Sequence, residues 1–181
     1  MAADVAAGRK KLVVDLRGNP GGYVTDAQKV ISQFVPAGTT IFWQEDAAGT
    51  QVPTAALEGG AATDSAIRVV VLIDGGSASA SEIVAAALQD LDRAELVGST
   101  SYGKGTIQTW QQLADDNGGF RLTVAKWLTP DRRWIHGTGL LPDVPVDIPA
   151  DAPPGSDPVL DRALEVLGST PAATAPLERA A

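Results

Sequence analysis

The sequence predicts an α/β fold in which a mixed, largely parallel sheet is flanked by helices. Residues 69–73 (VVVLI) form an uninterrupted apolar run, mostly β-branched, which is typical of a strand buried on both faces. Residues 81–91 follow it with apolar side chains at helical spacing. Residues 12–16 and 25–34 show the same strand-then-helix order. Such βαβ units build parallel sheets, so these runs together indicate the fold class.

The other early elements are shorter. Thr25 or Asp26 is the expected N-cap of the first helix, because a small polar side chain there satisfies free N–H groups. Residues 39–44 are expected to form a strand. Residues 46–65 are rich in Ala, Gly, Thr and Pro and indicate a loop that can hold a hairpin. Residues 95–97 are expected to form a further short strand.

A hairpin and a closing helix are expected in the second half of the chain. Residues 106–113 and 120–128 flank a turn-rich segment, and the second run alternates between apolar and polar side chains. Residues 134–144 indicate a loop, and residues 157–167 a helix. Three segments are predicted: a lead-in at residues 1–11, a core at 12–168 and a frayed Ala/Pro-rich tail at 169–181.

Composition excludes several functional classes. The chain has 181 residues, which suits one domain, and its net charge of −8 argues against a nucleic acid or an anionic membrane as partner. It contains no cysteine, which excludes disulfides, thiolate nucleophiles and cysteine metal ligands. No apolar run is long enough to span a membrane, and the first residues do not have the pattern of a signal peptide.

Three serines alternate between the strand at residues 69–73 and the helix that follows it. Ser77, Ser79 and Ser81 occupy a glycine-rich turn, where serine usually caps a helix. Ser79 and Glu82 match a capping box, and Ser81 also fits a simple N-cap. A strand, a sharp turn and a helix are also how several unrelated hydrolases present a nucleophilic serine. The residues alone favour capping and leave the nucleophile open.

A nucleophilic serine requires a base, and the sequence offers two candidates. His136 is the single histidine of the chain, but no motif connects it to the serines. Lys104 lies between Gly103 and Gly105, which indicates a tight turn and a close neighbour rather than an ordinary surface charge. A neutral lysine in a dry site is a competent base. The segment lacks the helix that follows a phosphate-binding loop, so nucleotide binding is not expected.

The Asn-Pro-Gly-Gly sequence at residues 19–22 follows the first strand directly. One interpretation is a strand-to-helix turn whose glycines adopt positive φ. The functional interpretation is that a free backbone N–H points into a site, because sites gather at the carboxyl ends of parallel strands.

Six ordered blocks resemble the C-terminal processing peptidases, also called tail-specific proteases. The resemblance extends from Leu12 to Leu167. The blocks are residues 15–22 (DLRGNPGG), 77–83 (SASASEI), 89–94 (QDLDRA), 102–108 (YGKGTIQ), 128–130 (LTP) and 137–143, which carries Gly137-x-Gly139 and Pro142-Asp143. The resemblance implies a core like that of the ClpP/crotonase superfamily and a serine peptidase that uses a Ser/Lys dyad and an acyl-enzyme. It implies no metal and no cofactor.

The resemblance also implies a role for each matching residue. Ser79 is the expected nucleophile, Lys104 its base, and Gln108 the residue that orients the lysine. The backbone N–H of Ala80 is one expected oxyanion donor. The second is an N–H of the Asn-Pro-Gly-Gly turn, with Gly21 favoured and Gly22 as the alternative. Ser77 and Ser81 are left with turn and capping roles. Lys104 and Gln108 need a bend or a twisted strand to face each other.

The chain also departs from the family. Members usually have a secretion signal, a helical segment and a PDZ domain before this region, and a strand and helix before the Asp-Leu-Arg block. None of these is present, so the chain is expected to be a truncated product, a fragment or a separate half. The expected substrates are unfolded or tagged proteins and peptides. Family habit indicates the periplasm, cell envelope or exterior, although no export signal supports this.

Two rival functions remain at this point. An inactive remnant could serve as a peptide-binding or structural module, and an esterase or amidase could use the same dyad. A sheet edge left unpaired by the absent strand would also invite self-association.

Overall fold

The computed structural model describes residues 1–114, 117–149 and 151–169, in which two sheets and four helices are present. The elements in chain order are α1 (Ala2–Ala6), β1 (Lys11–Asp15), α2 (Val24–Ile31), β2 (Thr40–Glu45), β3 (Gln51–Ala55), β4 (Arg68–Ile73), α3 (Ala80–Asp90), β5 (Glu95–Gly98), β6 (Thr106–Gln112), β7 (Gly119–Leu128), β8 (Val144–Pro145) and α4 (Pro158–Gly168).

The first sheet is parallel throughout, with the strand order β1-β4-β5-β8. The central strand β4 is apolar along its length because both of its faces are covered. Its side chains Val69, Val71 and Ile73 join the larger core cluster, to which α2 and α3 also contribute. Val70 and Leu72 point to the opposite face and join a cluster that includes residues of α4. Helices on both faces explain the continuous apolar run seen in the sequence.

The second sheet is antiparallel, with the strand order β3-β2-β7-β6. It contains two hairpins, β2–β3 and β6–β7; residues 46–65 supply only the strand β3, so the hairpin allowed for within that range is instead formed with the preceding strand β2. The α/β class with a parallel sheet and flanking helices is confirmed. The structure refines the prediction, because the strands are divided between a parallel and an antiparallel sheet.

The starts of two helices differ from the prediction. Helix α2 begins at Val24 with Tyr23 as its N-cap, so Thr25 and Asp26 lie within the first turn. The negative charge of Asp26 there faces the positive end of the helix dipole. Helix α3 begins at Ala80 with Ser79 as its N-cap, which confirms the Ser79–Glu82 capping box and excludes the alternative cap, Ser81.

Two short elements fall where the sequence predicted none. Helix α1 lies inside the expected lead-in, and its Val5 packs against the core. Strand β8, in the expected loop, pairs with β5 over two residues. Of the predicted tail, residues 170–181 lie outside the described part of the chain, as do turn residues 115 and 116. No helix among the described residues combines the length and hydropathy that crossing a membrane requires.

Acid is expected to remove a stabilising contact between Arg17, which follows β1, and Asp157, the N-cap of α4. Hydrogen bonds from Arg17 hold the pKa of Asp157 at about 2, below its ordinary 3.8, and lower the pKa of Asp15 as well. A depressed folded-state pKa stabilises the fold above the ordinary value, and that stability is lost as pH falls through about 2. The difference in melting temperature between the wild type and Asp157→Asn should therefore be largest near neutrality and shrink towards pH 2. A pH-independent difference in circular dichroism melts would contradict this.

Candidate active site

Ser79 lies at a sharp turn between β4 and α3. Its backbone has φ 56° and ψ −119°, a left-handed conformation that is costly for a residue with a side chain. The turn leaves Ser79 partly exposed at the N-terminus of α3. The next N–H, that of Ala80, donates to no carbonyl among the described residues. A strained serine beside a free helix N-terminal N–H is typical of a nucleophile next to an oxyanion donor.

The other two serines have different surroundings. Ser77 is fully buried, and its hydroxyl donates to the carbonyl of Leu16 (2.8 Å) and accepts from the N–H of Asp74 (3.0 Å). This confirms the turn-holding role predicted for Ser77. Ser81 is buried inside α3, so its predicted capping role is wrong. Of the three, only Ser79 presents its side chain near solvent.

The segment formed by residues 17–22, here called the glycine turn, packs directly against Ser79. The N–H of Ala78 donates to the carbonyl of Asn19 (3.0 Å), which joins the two turns. Gly21 has φ 92°, and a β-carbon there would lie 2.7 Å from the nitrogen of Ala80 and 3.0 Å from the β-carbon of Ser79. The requirement for glycine is therefore both conformational and steric.

The two candidate oxyanion donors of the glycine turn differ in their present hydrogen bonds. The N–H of Gly21 donates to the side-chain oxygen of Asn19 (3.0 Å). The N–H of Gly22 has no acceptor among the described residues. Both N–H groups remain candidates, because a rotation of the Asn19 side chain would free the N–H of Gly21.

Substituting Gly21 should be far more damaging than substituting a neighbouring glycine. A β-carbon on Gly21 would come within 2.5 Å of the carbonyl oxygen of Ala78, whereas one on Gly75 would meet nothing within 4 Å. If Ser79 is a nucleophile, we expect Gly21→Ala to lower Ser79-dependent cleavage by about 100-fold or more, the usual cost of a lost oxyanion donor. Gly75→Ala is the matched control, and equal activity of the two variants would contradict this view of the turn.

The glycines on both sides of Lys104 are needed for close approach, as the sequence predicted. Gly103 has φ 88°, and a β-carbon there would lie 2.8 Å from the nitrogen of Gly139. A β-carbon on Gly105 would lie 2.7 Å from the indole nitrogen of Trp134. The chain around Lys104 is therefore pressed against the segment that contains Trp134 and Gly139.

Three aromatic side chains hold the backbone beside the lysine. The indole N–H of Trp127 donates to the carbonyl of Lys104 (2.9 Å), and that of Trp134 donates to the carbonyl of Gly105 (2.9 Å). The N–H of Gly105 donates to Nδ1 of His136 (3.3 Å). The imidazole also stacks on Trp134, with ring centroids 5.3 Å apart. His136 thus has a packing and hydrogen-bonding role.

The Lys104 amine forms no hydrogen bond or ion pair within the described residues, and so none to the Ser79 hydroxyl. Gln108 lies in β6, is exposed and makes no hydrogen bond to Lys104 in that part of the chain. The pairing of β6 with β7 slips between Ile107 and Gln108, which supplies an irregularity of the kind expected from the spacing. The orienting role of Gln108 stays a prediction.

Glu82 connects the serine to the lysine, and this function was not predicted from the sequence. Its side chain is fully buried. One carboxylate oxygen accepts from the N–H groups of Ser79 and Lys104, each at 2.8 Å. The other accepts from the hydroxyl of Ser101 (2.5 Å) and the N–H of Gly103 (2.6 Å). Two donors on each oxygen compensate a buried carboxylate, which is costly otherwise.

The sequence indicated only the part of the Glu82 hydrogen-bond network that lies within the helix start. The capping-box spacing of Ser79 and Glu82 is local and was recognised, and the donation from Ser79 confirms it. The bonds to Ser101, Gly103 and Lys104 join residues about 20 positions further along the chain, and no local pattern indicates them. No cluster of His, Asp or Glu suited to a metal ion occurs among the described residues.

The chain belongs to peptidase family S41. The model of that family matches residues 2–146. The chain is 42% identical over 137 residues to the carboxy-terminal processing protease CtpA of Bacillus subtilis (strain 168), covering 76% of this chain. It is 40% identical over 143 residues to a probable CtpA-like serine protease of Staphylococcus aureus (strain COL), covering 77% of this chain. The chain spans only 28% of the length of each relative.

One solved structure supports the same assignment, and a second shares the fold. The photosystem II D1 C-terminal processing protease superposes with a TM-score of 0.71 and 35% identity, over 93% of this chain and 41% of that one. The tricorn protease superposes with a TM-score of 0.57 at 23% identity, over 87% of this chain and 15% of that one. The second likeness concerns the fold alone.

Proposed function

We propose that this chain carries the catalytic core of a C-terminal processing serine peptidase, with Ser79 as nucleophile and Lys104 as general base. The neutral amine of Lys104 takes the hydroxyl proton while the Ser79 oxygen attacks a peptide carbonyl. The N–H of Ala80 and that of Gly21 or Gly22 stabilise the oxyanion. Lys104 returns the proton to the leaving amine, which departs and leaves an acyl-enzyme. Water activated by the same lysine then releases the acyl group.

One observation carries this proposal most directly. The backbone nitrogens of Ser79 and Lys104 donate to the same carboxylate oxygen of Glu82. A buried group thus holds together the backbone segments that carry the proposed nucleophile and base, although 25 positions separate them in the chain. Gln108 would offer an acceptor to the neutral amine without adding the negative charge that favours its protonation.

The proposed substrates are unfolded or tagged polypeptides. The partial exposure of Ser79 and membership of peptidase family S41 support this proposal. In longer members of the family, a PDZ domain captures the substrate, as the sequence resemblance implies. Substrate capture by this chain is therefore best assayed with unstructured peptides that end in apolar residues.

The pH dependence of cleavage distinguishes the two candidate bases. A lysine must be deprotonated to act, so cleavage by this chain should increase through neutral into alkaline pH. A limb near about 6.5, the ordinary histidine value, would instead assign the base to His136. The measurement is kcat/KM for a fluorogenic peptide across this range, with His136→Phe as the control. Loss of activity in that control with an acidic limb in the wild type would contradict a lysine base.

A non-catalytic peptide-binding module is the second candidate. It is favoured by the hydrogen bond from the Gly21 N–H to Asn19, which occupies one expected oxyanion donor. Binding of an apolar-tailed peptide without cleavage, unaffected by Ser79→Ala, would support this alternative. Cleavage that depends on Ser79 would exclude it.

A further inference from the structure

Helix α4 reaches the proposed site through a single pair of charged side chains. The helix begins at Pro158, and its N-cap Asp157 accepts from the N–H of Leu160 (3.0 Å). It packs on the parallel sheet through the buried Val159 and Ala163, on the face opposite to α3. This helix lies beyond residues 2–146, which the family model matches. Its contact with the glycine turn is therefore a feature that the family match does not describe.

The contact is a two-point ion pair. The two terminal nitrogens of Arg17 donate to the two carboxylate oxygens of Asp157, at 2.7 and 2.9 Å. The remaining side of the guanidinium donates to Asp15, at 2.9 and 2.7 Å. The Arg17 side chain is only 24% exposed. A two-point arrangement of this kind fixes direction as well as distance, so it restrains the backbone on which Arg17 is carried.

Arg17 is the first residue of the glycine turn. The next N–H, that of Gly18, donates to Asp74 (2.8 Å), and the carbonyl of Asn19 accepts from the N–H of Ala78 (3.0 Å). Gly21 follows two residues later in contact with the Ser79 turn. The turn is therefore held on one side by the serine segment and on the other by α4.

We propose that Asp157 is a positioning residue for the active site, acting through Arg17 to hold the glycine turn where its N–H groups meet the oxyanion. The inference rests on the proposed function for its catalytic consequence. It assigns to α4 a part in the site that neither the family match nor the dyad requires. Asp157 would affect the transition state more than substrate binding, so its substitution should change kcat more than KM.

The test compares two neutralising substitutions at the start of the same helix, one at its N-cap and one in its first turn. Asp157→Asn keeps a good N-cap and almost the same shape but loses one of the two carboxylate charges that hold Arg17, the one carried by α4. Asp161→Asn removes an equal charge from an exposed position. We expect Asp157→Asn to lower kcat about tenfold or more with KM changed less than about twofold, as loss of part of an oxyanion interaction would. Asp161→Asn should leave both unchanged.

A double-variant cycle tests whether Asp157 acts through Arg17. If it does, Asp157→Asn should have little further effect on kcat in an Arg17→Ala background. Additive losses would overturn the coupling. Equal kcat values for the wild type and Asp157→Asn would overturn the proposal itself.

Amide exchange provides a readout that does not depend on activity. The Ala78 N–H, which donates to Asn19, should exchange at least about tenfold faster in Asp157→Asn than in the wild type or Asp161→Asn, because its acceptor is on the released turn. Unchanged exchange would contradict the positioning role. Faster exchange in a chain that cleaves nothing would retain the coupling and reject the proposed function, so the two failures are distinguishable.

Discussion

Ser79→Ala is expected to abolish peptide cleavage, lowering kcat by about 10⁴-fold or more, since the nucleophile is lost. The measurement is cleavage of an unfolded protein or an apolar-tailed peptide, followed by mass spectrometry. The fold should survive, because the Glu82 contact to residue 79 is made by its backbone N–H. Ser81→Ala is the matched control, as it removes a nearby hydroxyl inside α3. Retained cleavage in Ser79→Ala would show that another residue attacks.

Variants of Lys104 test whether this side chain acts as a proton acceptor or only as a positive charge. Lys104→Arg keeps a cation that does not deprotonate, so it should be as inactive as Lys104→Ala. Activity in the arginine variant would show that position 104 supplies charge rather than a proton acceptor. Absence of cleavage by the unmodified chain, even with the family's upstream segments supplied, would reject the enzyme proposal.

Glu82→Gln should cause the second large effect, on stability as well as on activity. An amide NH₂ would replace one carboxylate oxygen and face N–H groups that now have an acceptor. Each buried donor left without a partner costs about 1–3 kcal/mol. We expect a loss of about 2–4 kcal/mol in the free energy of unfolding and at least a 100-fold loss of kcat, because the serine and lysine segments separate.

The control for this substitution is Glu95→Gln, at an exposed carboxylate on β5. Urea unfolding of both variants supplies the free energies, and the slope reports whether the transition stays two-state. If Glu82→Gln unfolded with wild-type stability and cleaved peptides at the wild-type rate, Glu82 would not hold the site together.

The sequence predicted those features that are encoded locally. The apolar run of β4, the helical spacing of α3 and the two glycines beside Lys104 each have a pattern confined to a few residues. The structure confirms all three. The turn between β4 and α3 was also expected to be sharp, and the positive φ of Ser79 shows that it is.

The rest depends on contacts between distant segments. The parallel sheet closes on β8, a pairing of two residues that no strand pattern indicates. The sequence pattern explained Glu82 as a capping residue, and it gave no indication of the hydrogen bonds from Gly103 and Lys104. Arg17 and Asp157 are 140 positions apart, and their pairing becomes visible only when α4 packs on the sheet. Local patterns therefore found the proposed reacting groups and missed the side chains that hold their segments together.

Covalent labelling tests the central claim most directly. The chain is treated with a fluorophosphonate, which reacts with an activated serine, and the modified residue is identified by peptide mass spectrometry. Lys104→Arg is treated in parallel. We predict a single adduct on Ser79 that forms rapidly in the wild type and at least about 100-fold more slowly in Lys104→Arg, because the base is lost. An adduct on Ser77 or Ser81, or labelling of Ser79 at the same rate in both proteins, would contradict the Ser79–Lys104 dyad.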